Sequence, residues 1–502
     1  MIHRTAICVA AALAILAQTP GRAQDTRSAR ATVERSIAAM GGAALRSLQA
    51  VSVEAIGHRY AIEQSERPEG PWIAWYTQTD EIRDHQNGRL RTTSTRRWIQ
   101  SPDWAGTTLV VSDGVAAGEA RGTIRPAGRS ALEAAAESLA LAPERLLLTA
   151  LEAADLSAGA GASLYGVPQD VVTFGHRNAR LTLYLDRFTH LPTALDVVRA
   201  DNFGIWGMVT ERRQFSLWTL EKGGLRLPRQ VATEWNGVPL SHTTAVKLDV
   251  NPEIPADRFA IPEDVRAKFA AQPAPPATGI ASMRPDPAKA IDVVEGVTMI
   301  PGAWHVVYVK QPDGVVIIEA PITSAYSAAI LEEAERRFPG VPVRGVISTS
   351  DAWPHIGGVR EYVARGIPVY ALDLNLPILE RLLKAPYGPK PDRLANAPRA
   401  PEWRTVTSRI TIGEGPTRLE VMPLRGENGE RMLMVYFPAH RLLYAADEIQ
   451  RQRDGTFFMP MYLTEVRDAI VREKLEVDTV MAMHLTPTSW KTVLDAIDEA
   501  TR

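Results

Sequence analysis

The stretch V-I-S-T-S-D-A-W-P-H-I-G-G, Val346 to Gly358, decides how the rest of the chain is read. Val343, Val346 and Ile347 form the β-branched run of a buried strand, and Gly357-Gly358 opens a helix carrying Val359, Tyr362 and Val363. A strand end, a polar loop and a helix start therefore follow one another within thirteen residues. Loops placed after strands are where rigid scaffolds build sites. This one carries Ser350, Asp351 and His355.

Upstream of that stretch the chain divides by pattern. Arg4, an apolar run from Thr5 to Ala17 and the small residues of Gly21-Arg22-Ala23 predict a cleaved export segment over residues 1–23. Alternating strands predominate over residues 24–268, with helices at Thr32–Met40, around Leu45 and Leu48, and at Ser130–Ala154. Asn87-Gly88 and Asp113-Gly114 supply hairpin turns. Seven of the eleven tryptophans lie in this mostly antiparallel β module, where they fill the core or line an apolar binding concavity. Residues 269–290 predict an extended linker, because Pro273, Pro275, Pro276, Pro285 and Pro287 fall there with little to bury.

Composition narrows the partners. A net charge of −2 without long like-charge runs offers no footprint for nucleic acid. No stretch after the first approaches the roughly 20 apolar residues of a transmembrane segment. The single cysteine, Cys8, falls in the segment predicted to be removed, so disulfides and thiolate ligands are excluded from the mature chain. Histidine and carboxylate remain as the strong ligands for a zinc-like ion. Export to the periplasm or secretion, with a small-molecule or apolar ligand as partner, is the expectation.

From Ile291 to the end the chain resembles the metallo-β-lactamase-fold hydrolases. That resemblance rests on V-V-E-G-V-T-M-I-P-G, on V-V-I-I-E-A-P after Asp313-Gly314, and above all on the opening loop. The family's pattern there is T-H-x-H-x-D-H followed by a small apolar residue and Gly-Gly, which Thr349, His355, Gly357 and Gly358 match. It implies an α+β chain whose residues 291–502 form an αββα sandwich, preceded by a β module similar to the accessory region of exported members. Helix Ser324–Phe338, the strand I-P-V-Y-A and the later strands I-T-I, R-L-E-V-M-P-L, M-L-M-V-Y-F-P and R-L-L-Y-A-A-D fit that order, with V-D-T-V-M-A-M-H as the final strand before a C-terminal helix.

Carried over position by position, the resemblance implies a degenerate site. The first ion's ligands fall on Ser350, Ala352 and Asn428, and none survives. The second ion's fall on Pro354, His355 and His484, and the bridging carboxylate on Asp447. His355, Asp447 and His484 would hold at most one zinc or other divalent transition metal, with Asp447 also positioning a bound water as the catalytic residue. Equally open is that the three are relics, with His355 capping its helix and Asp447 accepting backbone N–H bonds. Asp351 reads as a solvated loop carboxylate or a base, His305 as packed or solvated, and His440 as exposed in its P-A-H-R turn. Leu485 replaces the glycine that the family places after its last histidine. Three functions follow: a one-metal hydrolase of unknown substrate, a non-catalytic periplasmic binding or scaffold protein without metal, or metal-free catalysis by Ser350 with a histidine base. N-terminal sequencing of the exported protein is expected to begin at Gln24 or Asp25. A chain that keeps Met1 and stays in the cytoplasm would refute export.

Overall fold

The computed structural model describes residues 22–65, 73–98, 105–201, 205–273, 282–387, 391–452 and 454–500. The expected export segment up to residue 21, with Cys8, and the middle of the expected linker, 274–281, lie outside these residues. So do Trp72 and Trp104. No helix among the described residues is long and apolar enough to cross a membrane.

Two antiparallel meanders, one within residues 50–126 and the other within 157–250, join side by side into a 14-stranded sheet. The seam forms where the first strand, Ala50–Tyr60, pairs with the last, Val238–Val250, in the register Val51↔Val250 and Val53↔Leu248. One face is covered by the helices Arg22–Ala39 and Leu146–Glu152, whose Val33, Ile37, Leu146 and Leu147 pack on Phe174, Leu181, Leu183 and Leu195. The helical interlude is two helices, Arg129–Ala140 and Leu146–Glu152, instead of one. Pro143 lies between them and disfavours helical backbone in the residue before it. The first helix begins at Arg22, ten residues ahead of the expected Thr32.

The remainder is the expected α+β sandwich. One seven-stranded sheet starts with hairpins over residues 291–318 and continues through parallel neighbours Val343–Ser348, Val369–Leu372 and Trp403–Val406. A six-stranded sheet covers Ile410 to Ser489. Val307, Val309, Val316, Ile318 and Ile347 from the first interlock with Val421, Leu433, Val435, Phe437 and Met481 from the second. Helices close both outer faces: Ser324–Arg337, Val359–Arg365 and Leu376–Leu383 on one, Leu463–Glu473 and Trp490–Ala500 on the other. Thr323 caps the first of these, its hydroxyl accepting the Tyr326 N–H at 3.2 Å. One expectation fails at the end of the chain. The strand expected to run to His484 stops at Ala482, and a further edge strand, Leu485–Ser489, returns antiparallel beside it. Its T-P-T-S text lacks apolar alternation, and proline is tolerated on an edge, so pattern alone concealed it.

The sheet module carries one buried charge cluster of consequence. Burial by itself pushes Glu144 up, but Arg83 and His85 outweigh it and hold the carboxyl at about 2. Arg83 Nε donates to Glu144 at 2.7 Å and His85 Nε2 lies 3.0 Å from the same oxygen. Because the folded-state value lies below the ordinary 4.5, the stabilisation is complete above about pH 4.5 and is lost as pH falls toward 2. Its size is about 3 kcal/mol by linkage. Urea unfolding across that window is expected to show the loss. Glu144→Gln should be less stable by roughly 3 kcal/mol at pH 7 and flatter between pH 4.5 and 2, since it leaves the buried Arg83 with Glu81 as its one remaining carboxylate partner.

Candidate metal centre

The stretch from Thr349 to Gly358 is polar in sequence yet wholly buried in the fold. Each polar group in it therefore needs a partner. Thr349 donates its hydroxyl to Glu319, whose carboxylate also accepts from Tyr444 at 3.1 Å. Ser350 Oγ accepts the Ala352 N–H at 3.2 Å. Asp351 accepts from Ser65 Oγ of the β module at 3.0 Å and lies 3.9 Å from Arg431 Nε. It is 1% exposed, a correction to the solvated carboxylate expected from its loop position. The Ala61–Ser65 segment of the module covers it, through the Ser65 bond and a Trp353 N–H donated to the Glu63 carbonyl at 2.9 Å.

The glycine pair is required by close approach. A Cβ on Gly357 would lie 2.2 Å from the Ile322 carbonyl oxygen, and one on Gly358 would lie 2.0 Å from Ser327 Oγ. Trp353 then sits between two tryptophans of the module, stacked on Trp235 at 5.4 Å and edge-on to Trp206 at 5.3 Å. These rings belong to a core cluster that includes Ile62, Ile205 and Val209 of the module.

Three of the expected site residues converge. His355 Nε2 lies 3.3 Å from Asp447 Oδ2, and His484 Nε2 lies 3.3 Å from Asp447 Oδ1. One donor atom from each of the three lies within 4.8 Å of those from the other two. Three different elements deliver them: the short helix Trp353–Ile356, the turn after Leu442–Tyr444, and the turn after Thr479–Ala482. Ala446, at φ 49°, turns the chain at Asp447, and Gln450 Nε2 donates to its Oδ1 at 3.0 Å. Burial and the charge of Asp351 push Asp447 up to about 8, although the Gln450 bond opposes them. Burial and His305 bring His484 down to about 4 against the Ala303 carbonyl that accepts from it, and burial lowers His355 well below its ordinary value. Without an ion, burial therefore favours the neutral form of all three.

His355 lies inside its helix, and its Nδ1 is buried with no partner among the described residues. Asp447 accepts from the Gln450 side chain.

The other positions fall out as follows. Asn428 is drawn aside, donating to Glu448 Oε2 at 2.8 Å. Glu465 accepts the N–H groups of Glu427, Asn428 and Gly429 at 2.9 to 3.1 Å. His305 is buried beside the site, its Nδ1 accepting the Gly302 N–H at 3.1 Å. His440 is half-buried with Nε2 enclosed, where exposure was expected. Glu319, Glu448 and Arg431 went unread. Burial pushes Glu319 up to about 8 and Glu448 well above its ordinary value. The acid ending V-V-I-I-E and the Asp447-Glu448 doublet, each closing an apolar strand, were the available signs.

By layer order, strand order and the placing of this centre at the sheet edge, the C-terminal part has the αββα metallo-β-lactamase-like fold. No family model and no curated protein matches the sequence. Solved structures similar to the chain include the stereoselective inverting sec-alkylsulfatase Pisa1 from Pseudomonas sp., 13% identical, with 42% of this chain and 41% of that one covered at a TM-score of 0.32. The chain thus spans about two-fifths of that sulfatase's length. TMB-1 is 16% identical over 43% of this chain and 98% of its own, at 0.33. A metallo-β-lactamase from Erythrobacter litoralis is 16% identical over 42% and 95%, also at 0.33.

Trp353 is 3% exposed and joins the loop to the module. Trp353→Ala is expected to cost about 3–5 kcal/mol in urea unfolding. A loss below about 1 kcal/mol would contradict the packing described.

Proposed function

We propose that this protein is an exported hydrolase with a one-metal centre, in which His355, Asp447 and His484 hold a single zinc or other divalent transition ion. The observation that carries this reading is the pair of histidine nitrogens, each 3.3 Å from a different oxygen of one buried carboxylate. The donor chemistry fits. His484 gives its other ring nitrogen to the Ala303 carbonyl, so Nε2 presents a lone pair to Asp447. Acceptors that face one another at this range in a dry interior call for a cation or a proton between them.

Two imidazoles and a carboxylate suit a divalent transition ion and leave coordination positions open. An ion held in this way supplies an acidified water as nucleophile. The chain's own part is to fix the donors. Gln450 orients the Asp447 carboxylate, the Ala303 carbonyl sets the His484 tautomer, and the neighbouring sheets exclude bulk water. Ser350 is unsuited to the nucleophile's role, since its Oγ is turned onto the Ala352 N–H within its own loop. We place the export segment at 1–23, the β module at 24–268, the linker at 269–290 and the hydrolase domain at 291–502, with the mature protein in the periplasm or secreted.

Elemental analysis after zinc loading, on the wild type and on His484→Ala, tests the reading. About one equivalent is expected in the wild type and less than roughly a tenth in the variant. Two equivalents would contradict the ligand argument. Less than a tenth in both would replace the hydrolase with a non-catalytic binding protein.

A further inference from the structure

Of the three proposed ligands, His484 alone opens to solvent. Its side chain is 25% exposed, against 4% for His355 and 6% for Asp447. Solvent therefore meets the centre at His484. Gln450 marks the place twice, because it donates to Asp447 and its backbone forms an isolated bridge with His484. The same Gln450 lines a cavity of about 830 Å³, together with Arg125, Arg451, Gln452, Asp454 and Phe458. Arg125 comes from the edge strand Thr123–Pro126 of the β module, so two parts of the chain build this space.

The chemistry of the wall is specific. Arg125 and Arg451 are exposed and contribute two guanidinium groups. Arg451 is held in place by a bond from Nε to the Gly455 carbonyl at 3.1 Å and by the Phe457 ring 5.9 Å away. Asp454 is the opposing charge; its Oδ1 accepts the Thr456 N–H and hydroxyl at 3.0 and 2.6 Å, and a further arginine, Arg121, lies near to offset it. Phe458 is 45% exposed and offers an apolar ring. Guanidinium groups bind oxyanions by paired, charge-assisted hydrogen bonds.

We infer that this cavity is the substrate-binding entrance of the centre, and that it selects esters carrying an anionic oxygen group and an apolar arm. Arg125 and Arg451 take the anion, Phe458 takes the apolar arm, and Gln450 borders the path to His484 and Asp447. This rests on the one-metal reading above for the chemistry that follows, but not for the binding itself.

The test separates the two. Benzyl hydrogen succinate, an anion at pH 7, and its neutral methyl ester are titrated calorimetrically into the full-length protein at low salt. The anion is expected to bind about 2- to 25-fold more tightly, two partly exposed charge contacts being worth up to about fivefold each. Arg125→Gln combined with Arg451→Gln should bring the two ligands to near equality without changing zinc content, while Arg125→Lys alone should retain part of the preference. Raising the salt should weaken the anion and leave the neutral ester unchanged. His484→Ala should lose zinc yet keep the anion preference. Equal binding of the two esters, or a preference that survives the double glutamine variant, would overturn the inference. Loss of zinc stoichiometry in the wild type with the preference intact would strike the one-metal reading alone.

Discussion

Burying a polar loop is the constraint on which the structure depends. Between Thr349 and Gly358 the chain passes from a central strand into a helix while enclosed on all sides, and an unpaired polar group there would cost about 1–3 kcal/mol. Protein groups answer these demands at Thr349, Ser350 and Asp351, and leave His355 Nδ1 unanswered among the described residues. Glu319, which also accepts from Tyr444, receives Thr349, Ser350 turns onto its own loop, and Ser65 of the β module reaches Asp351. The two glycines let the Ile322 carbonyl and Ser327 approach within distances that a side chain would forbid. Trp353 is then free to enter the apolar contact with Trp206 and Trp235. The module is thus part of the loop's environment, and its Ala61–Ser65 segment is as necessary to the site as the sandwich strands.

That arrangement explains the division of the centre into two unequal halves. On one side, where the family resemblance would set a first ion, Asn428 is tied to Glu448, Arg431 stands near Asp351, and Glu465 gathers three backbone N–H groups. Asn428 and Glu465 are taken up by protein groups there, although Glu448 Oε1 and Arg431 Nε make no hydrogen bond among the described residues. On the other, His355 and His484 each lie 3.3 Å from Asp447, and His355 Nδ1 has no partner among the described residues. We propose one cation here because the first side, at Ser350, Ala352 and Asn428, offers no histidine, whereas the second offers two with an aspartate.

Much of the sandwich was legible in the sequence because its strands are buried on both faces and read as continuous apolar runs, as in V-V-I-I and M-L-M-V-Y-F. The His355, Asp447 and His484 trio was legible for a different reason: the resemblance to the family's loop pattern, carried over position by position, points to those places. What could not be read was side-chain direction. Asp351 looks like a loop carboxylate until the module's Ser65, 286 positions away in sequence, is seen to cover it. The edge strand Leu485–Ser489 escaped because its polar text, with Pro487, carries no period. Glu448 looked like an ordinary acid beside Asp447, since nothing in the sequence indicates that Glu465 and Asn428 enclose it.

The central claim is that one ion, held by two histidines and one aspartate, is all this centre accommodates. Zinc-edge anomalous diffraction from crystals of the metal-loaded protein measures it directly. The account predicts a single peak bonded to His355, Asp447 and His484, with Ser350, Ala352 and Asn428 unligated. A second peak about 3.5–4 Å from the first, the spacing of paired-metal sites, or a single peak held elsewhere, would contradict it.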